Sequence, residues 1–223
     1  MKRICTLSLP LLLFFLAASC GPMNPGVETL LLYARAQDVY REGRFAEAAG
    51  MLAGQRSFAP ALVLRGKAQY LCGELASAEK TLKRALALKP HDAEASLFLA
   101  RIFRETGNTN EAQKLVEKIL GDNPADIRAL RFAAELARQR GASGAAASAA
   151  LLDRAAQASL LICAESAMVF LDRASLRWGG GNRTGALEDL GLARSLLSAP
   201  EGEESPVLRA VERLESIIKE VSR

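Results

Sequence analysis

The sequence has 223 residues, of which 50% are hydrophobic, 5% aromatic and 24% charged. A chain of this length can bury a core without disulfide or metal cross-links, and its hydrophobic content argues against disorder. Many alanines and leucines with few aromatic residues favour closely packed helices over a β-sandwich. The formal charge of +4 is too small to indicate a nucleic-acid partner.

Residues 1–19 have the pattern of a signal peptide. Lys2 and Arg3 precede an apolar run from Ile4 to Ala18, which is shorter than the about 20 residues of a membrane-spanning helix. We therefore expect this segment to be removed. Its loss leaves 27 of the 29 basic residues against 25 acidic ones, a formal charge of +2.

The next residues resemble the lipobox of bacterial lipoproteins. The segment from Leu16 to Ser19 precedes Cys20, although Ala17 stands where leucine is commoner in that family. The resemblance implies that Cys20 is lipidated, with a diacylglycerol on its thiol and an acyl chain such as palmitate on its amine. Because Gly21 is not the aspartate that retains such proteins in the inner membrane, the resemblance also implies an outer-membrane location facing the periplasm. The alternative is an ordinary cleavage site followed by an incidental cysteine.

Residues 20–28 are predicted to form a lipidated tether. Gly21 to Gly26 contains two prolines and two glycines, which do not continue a helix. Two or three acyl chains exceed what stable membrane anchoring requires.

Residues 29–199 contain five degenerate repeats that predict helical hairpins. Each repeat has a glycine followed five residues later by alanine, in the pairs Gly43 and Ala48, Gly73 and Ala78, Gly107 and Ala112, Gly141 and Ala146, and Gly181 and Ala186. We expect each glycine to adopt a positive φ where the first helix ends. Another small residue stands twelve positions before each alanine, at Ala36, Gly66, Ala100, Ala134 and Ala174. Such residues let two helices approach closely.

The repeats differ in their details. Pro60, Pro90 and Pro124 are expected to end second helices. The first repeat is one helical turn short, since Ala48 and Ala78 are only 30 residues apart. The fourth lacks a proline and contains "GASGAAASAA". Because alanine buries little area, we expect shallow packing there and the most deformable part of the array.

Residues 200–223 predict a terminal helix. Ser205 is placed to cap it and Pro206 suits its first turn. Its apolar stripe consists of Val207, Leu208, Val211, Leu214, Ile218 and Val221. Since repeat arrays need a covered end, we interpret this helix as a cap on the last hairpin; the alternative is a helix offered to a partner.

The spacing of 34 residues between Gly73 and Gly107, with the alanines and prolines that follow, resembles the tetratricopeptide repeat. The resemblance covers residues 29–199. It implies an all-α fold, an α-solenoid of about five hairpins plus the C-terminal capping helix. It also implies that the first helices line a concave groove that binds a protein or peptide.

Helical spacing places ten candidate partner-binding residues on the first helices. They are Tyr33, Gln37, Tyr40, Lys67, Tyr70, Arg101, Arg104, Arg131, Arg138 and Trp178. Tyr, Trp and Arg are enriched at interface hot spots, and arginine pairs with carboxylates. A groove for a peptide with carboxylates is one interpretation; the other is a solvated helix face with arginines paired to Glu105 or Glu135. The family's carboxylate clamp is not carried over, because Tyr33 and Gln37 replace its first two members.

No catalytic or metal-binding motif is apparent. His91, the single histidine, is predicted to be a solvated turn residue beside a capping Asp92. "GGGNRTG" is neither a P-loop nor a dinucleotide-binding motif. Cys72 and Cys163 are predicted to be buried apolar residues, with a disulfide as the alternative. We therefore expect no enzyme activity, no cofactor and no metal.

These patterns together predict a membrane-anchored protein-binding adaptor or scaffold in the bacterial cell envelope. One alternative is a periplasmic small-ligand-binding lipoprotein associated with solute uptake. A third class, an envelope hydrolase, requires a catalytic constellation that the sequence does not display.

The lipid anchor is directly testable. Cys20→Ser removes the thiol that would accept the lipid, so we expect loss of acyl labelling in cells and release of the chain from membranes. Labelling that is unchanged in Cys20→Ser would exclude this cysteine as the attachment site.

Overall fold

The computed structural model describes residues 25–159, 164–197 and 206–220, which form eleven α-helices and no strand. This confirms the all-α fold class predicted from the repeats. The chain divides into two compact units, unit 1 up to Leu88 and unit 2 from Lys89. The predicted signal peptide and Cys20 lie outside the described residues, as do Cys163, Ser205 and Val221.

Unit 1 consists of two hairpins. Their helices are α1 (Val27–Arg41), α2 (Phe45–Met51), α3 (Ala59–Leu71) and α4 (Leu75–Leu88). Buried Ala36, Leu52, Ala61 and Leu64 form one core cluster, which joins α1, the end of α2 and α3. α1 begins two residues before the predicted start of the array.

Unit 2 contains three hairpins and a final helix. Its helices are α5 (Ala93–Glu105), α6 (Thr109–Asp122), α7 (Ile127–Arg138), α8 (Ala142–Ala158), α9 (Ala164–Gly179), α10 (Arg183–Leu196) and α11 (Pro206–Glu220). Side chains cap three of them, since Asp92, Asp126 and Asn182 accept hydrogen bonds from backbone amides of α5, α7 and α10. Core clusters shared by α5, α6 and α7, and by α7, α8 and α9, connect neighbouring hairpins.

The hairpin turns follow the predicted glycine pattern. Within the described residues, positive φ angles occur at Gly43, Gly73, Gly107, Gly141 and Gly181, with values from 70° to 81°. These are the five glycines predicted to reverse the chain. A residue with a Cβ would be strained in this conformation, so each glycine determines where its first helix ends.

The predicted small residues lie where the paired helices touch. Ala100 and Ala112 are both 0% exposed. A Cβ atom built on Gly66 of α3 would lie 2.6 Å from Cγ of Leu82 in α4. The absence of a side chain at this position is therefore what admits a large leucine from the facing helix.

Pro60 corrects one prediction. It lies in the first turn of α3 and does not terminate the second helix of the first hairpin, because α2 already ends at Met51. Proline suits the first turn of a helix, where its missing N–H needs no partner. α2 has only 7 residues against 14 in α4, which confirms that the first repeat is short. Pro90 and Pro124 follow the ends of α4 and α6, as expected.

Ala146 corrects another prediction, because it is exposed and does not pack on α7. The buried residues of α8 are Gly144, Ser148, Leu152 and Ala155. α8 starts directly after Gly141, whereas the other second helices start two residues after their glycine. A Cβ on Gly144 would lie 1.8 Å from the Ala137 carbonyl oxygen. Close backbone contact at this glycine therefore sets the register of α8.

The final helix covers the last hairpin. Val211 and Ile218 are both 0% exposed and pack with Ala186 and Leu190 of α10. Val207, Leu208 and Leu214 are partly buried on the same cluster. The predicted cap is thus confirmed, and its apolar stripe is occupied by α9 and α10.

The last hairpin also contains a buried ion cluster that the sequence analysis missed. Asp189 of α10 is 1% exposed and accepts two hydrogen bonds from Arg173 of α9, at 2.6 and 3.0 Å. Arg177 lies 3.0 Å from the same carboxylate, and Arg173 also reaches Asp153 of α8 at 3.1 Å. The hydrogen bond to Asp189 raises the pKa of Arg173 above its ordinary value, with a smaller contribution from Asp153. Three helices are therefore joined through one guanidinium group.

Two glycine variants test the close helix contact. Gly66→Ala should lower the free energy of unfolding by about 1 kcal/mol, because the overlap with Leu82 outweighs the better helix propensity of alanine. Gly191→Ala in α10, where a Cβ meets nothing within 4 Å, should raise it by about 0.5 to 1 kcal/mol. Urea unfolding followed by circular dichroism measures both. Equal shifts of the same sign would contradict the steric explanation.

The ion cluster predicts a second stability effect. Asp189→Asn leaves Arg173 and Arg177 without their buried carboxylate, so we expect a loss of about 3 kcal/mol. The control is Asp38→Asn, which breaks an exposed pair with Arg41 and should cost about 1 kcal/mol or less. Because the pKa of Arg173 is raised in the folded state, its contribution to stability is fully present below the pKa of an unfolded arginine and is lost only above it, so it should not change between about pH 6 and pH 9. Denaturant melts at several pH values measure this.

Candidate functional site on the first helices

The first helices of unit 1 bring five predicted residues onto one surface. We call Tyr33, Gln37, Tyr40, Lys67 and Tyr70 the tyrosine patch; all five are half-buried. Gln37 Nε2 donates a hydrogen bond to the Tyr33 hydroxyl at 3.0 Å. Lys67 Nζ of α3 lies 5.1 Å from the ring centroid of Tyr40 in α1. The patch therefore spans two neighbouring first helices.

Two phenylalanines hold the tyrosine rings in place. Phe58, which precedes α3, packs edge-on against Tyr33 with ring centroids 5.4 Å apart. Phe45, the first residue of α2, packs against Tyr40 at 5.1 Å. Rings fixed in this way lose little conformational entropy when a ligand binds. The patch thus offers rigid aromatic area beside an ammonium group and an amide.

The predicted arginines of unit 2 are engaged in ion pairs between first helices. Arg104 of α5 contacts Glu135 of α7 at 2.6 Å, and its guanidinium lies 5.2 Å from the Phe132 ring centroid. Arg131 of α7 contacts Asp172 of α9 at 2.7 Å. Arg104 and Arg131 are 20% and 19% exposed. The interpretation that arginines pair with glutamates, including Glu105 at 3.7 Å, is confirmed for Arg104.

The remaining predicted residues of unit 2 occupy different surroundings. Arg101 stacks on Phe98, with its guanidinium carbon 4.7 Å from the ring centroid. Arg138 is exposed at the end of α7. Trp178 is half-buried and packs against the core cluster of the last hairpin. The first-helix face of unit 2 is therefore less basic than its arginine count suggests.

Sequence reasoning missed the acidic partner of Arg131. Asp172 lies 41 residues further along the chain, and Met168 Sδ lies 3.7 Å from the same guanidinium. The available signal was weak: Met168 and Asp172 are four residues apart, so they share a face of α9. Pairing Asp172 with Arg131 also requires knowing how α9 packs against α7, which the sequence does not give.

His91 and Cys72 both lie in exposed turns next to helices. His91 is 69% exposed on its side chain, and its Nδ1 lies 2.8 Å from a carboxylate oxygen of Asp122. The prediction of a solvated turn residue beside the capping Asp92 is confirmed. Cys72 is exposed, so the prediction that it is buried is wrong. It follows the last residue of α3, where the chain turns away from the helix contact.

Metal-binding clusters and ligand cavities are the other site classes to consider in the described part of the chain. No group of three His, Cys, Asp or Glu residues is arranged to hold a metal there. A cavity of about 190 Å³ lies between α6, α7 and α8, lined mostly by apolar residues together with Gln113, Glu117 and Arg140. Another of about 150 Å³ lies beside His91. Sites for drug-sized ligands are larger, about 300 to 1,000 Å³.

Among residues 25–159, 164–197 and 206–220, no helix combines the length and apolar character that crossing a bilayer requires.

Comparison with known proteins assigns the repeats. Residues 72–136 match the family model of the tetratricopeptide repeat. No curated protein sequence matches the chain.

Solved structures show the same fold over most of the chain. A tetratricopeptide repeat protein from Parabacteroides merdae superimposes with a TM-score of 0.65 and 21% identity, over 90% of this chain and 74% of the other. A thermophilic tetratricopeptide repeat protein of Thermus thermophilus gives a TM-score of 0.68 and 16% identity, over 85% and 98%. Pseudomonas aeruginosa PilF gives 0.65 and 15%, over 86% and 85%. Residues 72–136 are therefore tetratricopeptide repeats, and the chain has the fold of a tetratricopeptide repeat protein.

Proposed function

We propose that this protein is a binding adaptor, tethered to the envelope membrane through acyl chains on Cys20, that grips a protein partner with the tyrosine patch. The observation that carries the proposal is the contact of Lys67 with the Tyr40 ring, which joins α1 and α3 into one surface. A fold built of repeats favours protein binding over catalysis, since its first helices present an extended surface.

The composition of the tyrosine patch supports a protein ligand. Tyrosine is enriched at interface hot spots because it buries a large rigid area and keeps a polar group. Tyr33 and Tyr40 are already positioned by Phe58 and Phe45. Binding to such a surface costs less ordering than binding to mobile side chains.

The chemistry of the patch favours a peptide with an apolar side chain and a carboxylate. The tyrosine rings supply apolar contact, and the Lys67 ammonium supplies the positive charge. We assign acid recognition to unit 1 because the Lys67 ammonium lies beside the Tyr40 ring, so that one ligand can meet the charge and the aromatic surface together. The arginines Arg104 and Arg131 of unit 2 lie in ion pairs with Glu135 and Asp172.

The cellular location rests on the sequence. A signal peptide over residues 1–19 and a lipobox ending at Cys20 support export and lipidation. The glycine after Cys20 favours the outer membrane, with the helical array in the periplasm. An adaptor held there would recruit its partner to the membrane surface.

Site-specific photocrosslinking tests the binding surface. A photoreactive phenylalanine analogue at Tyr70 should form a crosslinked product of defined mass in cells, because this position lies on the tyrosine patch. The same analogue at Lys80, exposed on α4, is the matched control and should not form that product. Identical products from both positions would contradict the assignment.

A charge reversal tests the proposed chemistry. Lys67→Glu should reduce the Tyr70 crosslinked product at least about tenfold, since a hydrogen-bonded charge pair at an interface contributes about 1.5 to 3 kcal/mol. Lys80→Glu makes the same charge change on α4 and should leave the product unchanged. If both reversals act equally, net charge and not the patch determines binding.

A further inference from the structure

The first and last helices differ in how their outer surfaces are covered. In unit 2, α11 buries Val211 and Ile218 completely against the last hairpin. In unit 1, α1 exposes Val27, Leu30 and Leu31 by 74%, 45% and 58%. Terminal elements of repeat arrays usually present a polar outer face. The exposed apolar surface of α1 is therefore a candidate contact surface.

These three residues form one continuous surface, which we call the N-terminal stripe. Val27 and Leu31 are four residues apart, and Leu30 is three residues from Val27, so they share a helix face. Arg35 continues this face one turn further on and is exposed. The opposite face of α1 carries Ala36, which packs in the core of unit 1. The stripe is thus distinct from the core contact, and Leu30, three residues before Tyr33, lies at its edge next to the tyrosine patch.

We propose that the N-terminal stripe docks on the lipid membrane surface. The inference rests on the proposed tether, because Cys20 lies seven residues before Val27 in the sequence. Seven extended residues span at most about 25 Å. Acyl chains on Cys20 would therefore hold the start of α1 within that distance of the bilayer, at a high effective concentration.

The chemistry of the stripe suits a membrane interface. Valine and leucine side chains enter the boundary between headgroups and acyl chains, and a nearby arginine contacts lipid phosphates. Arg35 is placed for that contact. Exposed Glu28, three residues before Leu31, lies at the edge of the same face, in the first turn, where the helix dipole favours a carboxylate. Three apolar residues bind a membrane weakly by themselves and depend on the lipid anchor as a second signal.

Docking would have a consequence for the adaptor. It would fix the orientation of α1 relative to the bilayer, and with it the tyrosine patch, which shares this helix. A partner would then be bound at the membrane surface and not at the end of a freely moving tether.

Depth-dependent fluorescence quenching tests the proposal. Leu31→Trp in α1 and the control Lys80→Trp, exposed on α4, are produced as full chains, purified from membranes and placed in vesicles of phosphatidylethanolamine and phosphatidylglycerol with brominated acyl chains. The signal of Trp178 in the parent chain is subtracted. We expect loss of fluorescence at position 31 and none at position 80. Both positions are exposed, so neither change should disturb folding, which circular dichroism verifies.

Other outcomes overturn the proposal and identify the reason. Equal quenching at positions 31 and 80, or no quenching at 31, means that the stripe does not dock. A concentration-dependent blue shift at position 31 in detergent, without vesicles, would assign the stripe to a second copy of this chain. The mass of the peptide that contains Cys20 reports acylation separately. An unmodified Cys20 refutes the tether, whereas an unquenched position 31 beside an acylated Cys20 refutes docking alone.

Discussion

Close approach of the two helices within each hairpin is the constraint on which the structure depends. It requires a glycine that can reverse the chain at positive φ and small residues where the helices touch. Gly66 shows the limit, because a Cβ there would overlap Leu82 of the facing helix. Helices held this close bury their apolar stripes together, so a chain with few aromatic residues can still build a buried core within each unit.

The hairpins vary in how they stabilise the contact near the turn. Gln69 and Thr81 are joined by a hydrogen bond of 2.7 Å, and Arg177 and Asp189 occupy the equivalent pair of positions, also twelve residues apart. In the last hairpin the polar contact becomes a buried ion cluster that also reaches Asp153 of α8. This contact joins α8 to α9 and α10 through the Arg173 guanidinium.

The two units use their first helices differently. In unit 1, aromatic rings and a lysine form the tyrosine patch, to which the proposed function assigns the partner. In unit 2, arginines join neighbouring helices through Glu135 and Asp172. A guanidinium already paired with a carboxylate stabilises the array and contributes little net charge to a surface. The candidate residues of the first helices therefore differ in structure: those of unit 1 form an aromatic patch, and two arginines of unit 2 form ion pairs between helices.

The sequence by itself determined the repeat class, the five turn glycines and the capping helix, because these depend on local backbone conformation and helical spacing. It also grouped the tyrosines on first helices. Only the tertiary structure decided that Pro60 begins α3, that Gly144 and not Ala146 meets α7, and that Arg104 and Arg131 are paired. These outcomes depend on the relative register of separate helices, and register is set by contacts between residues far apart in the chain.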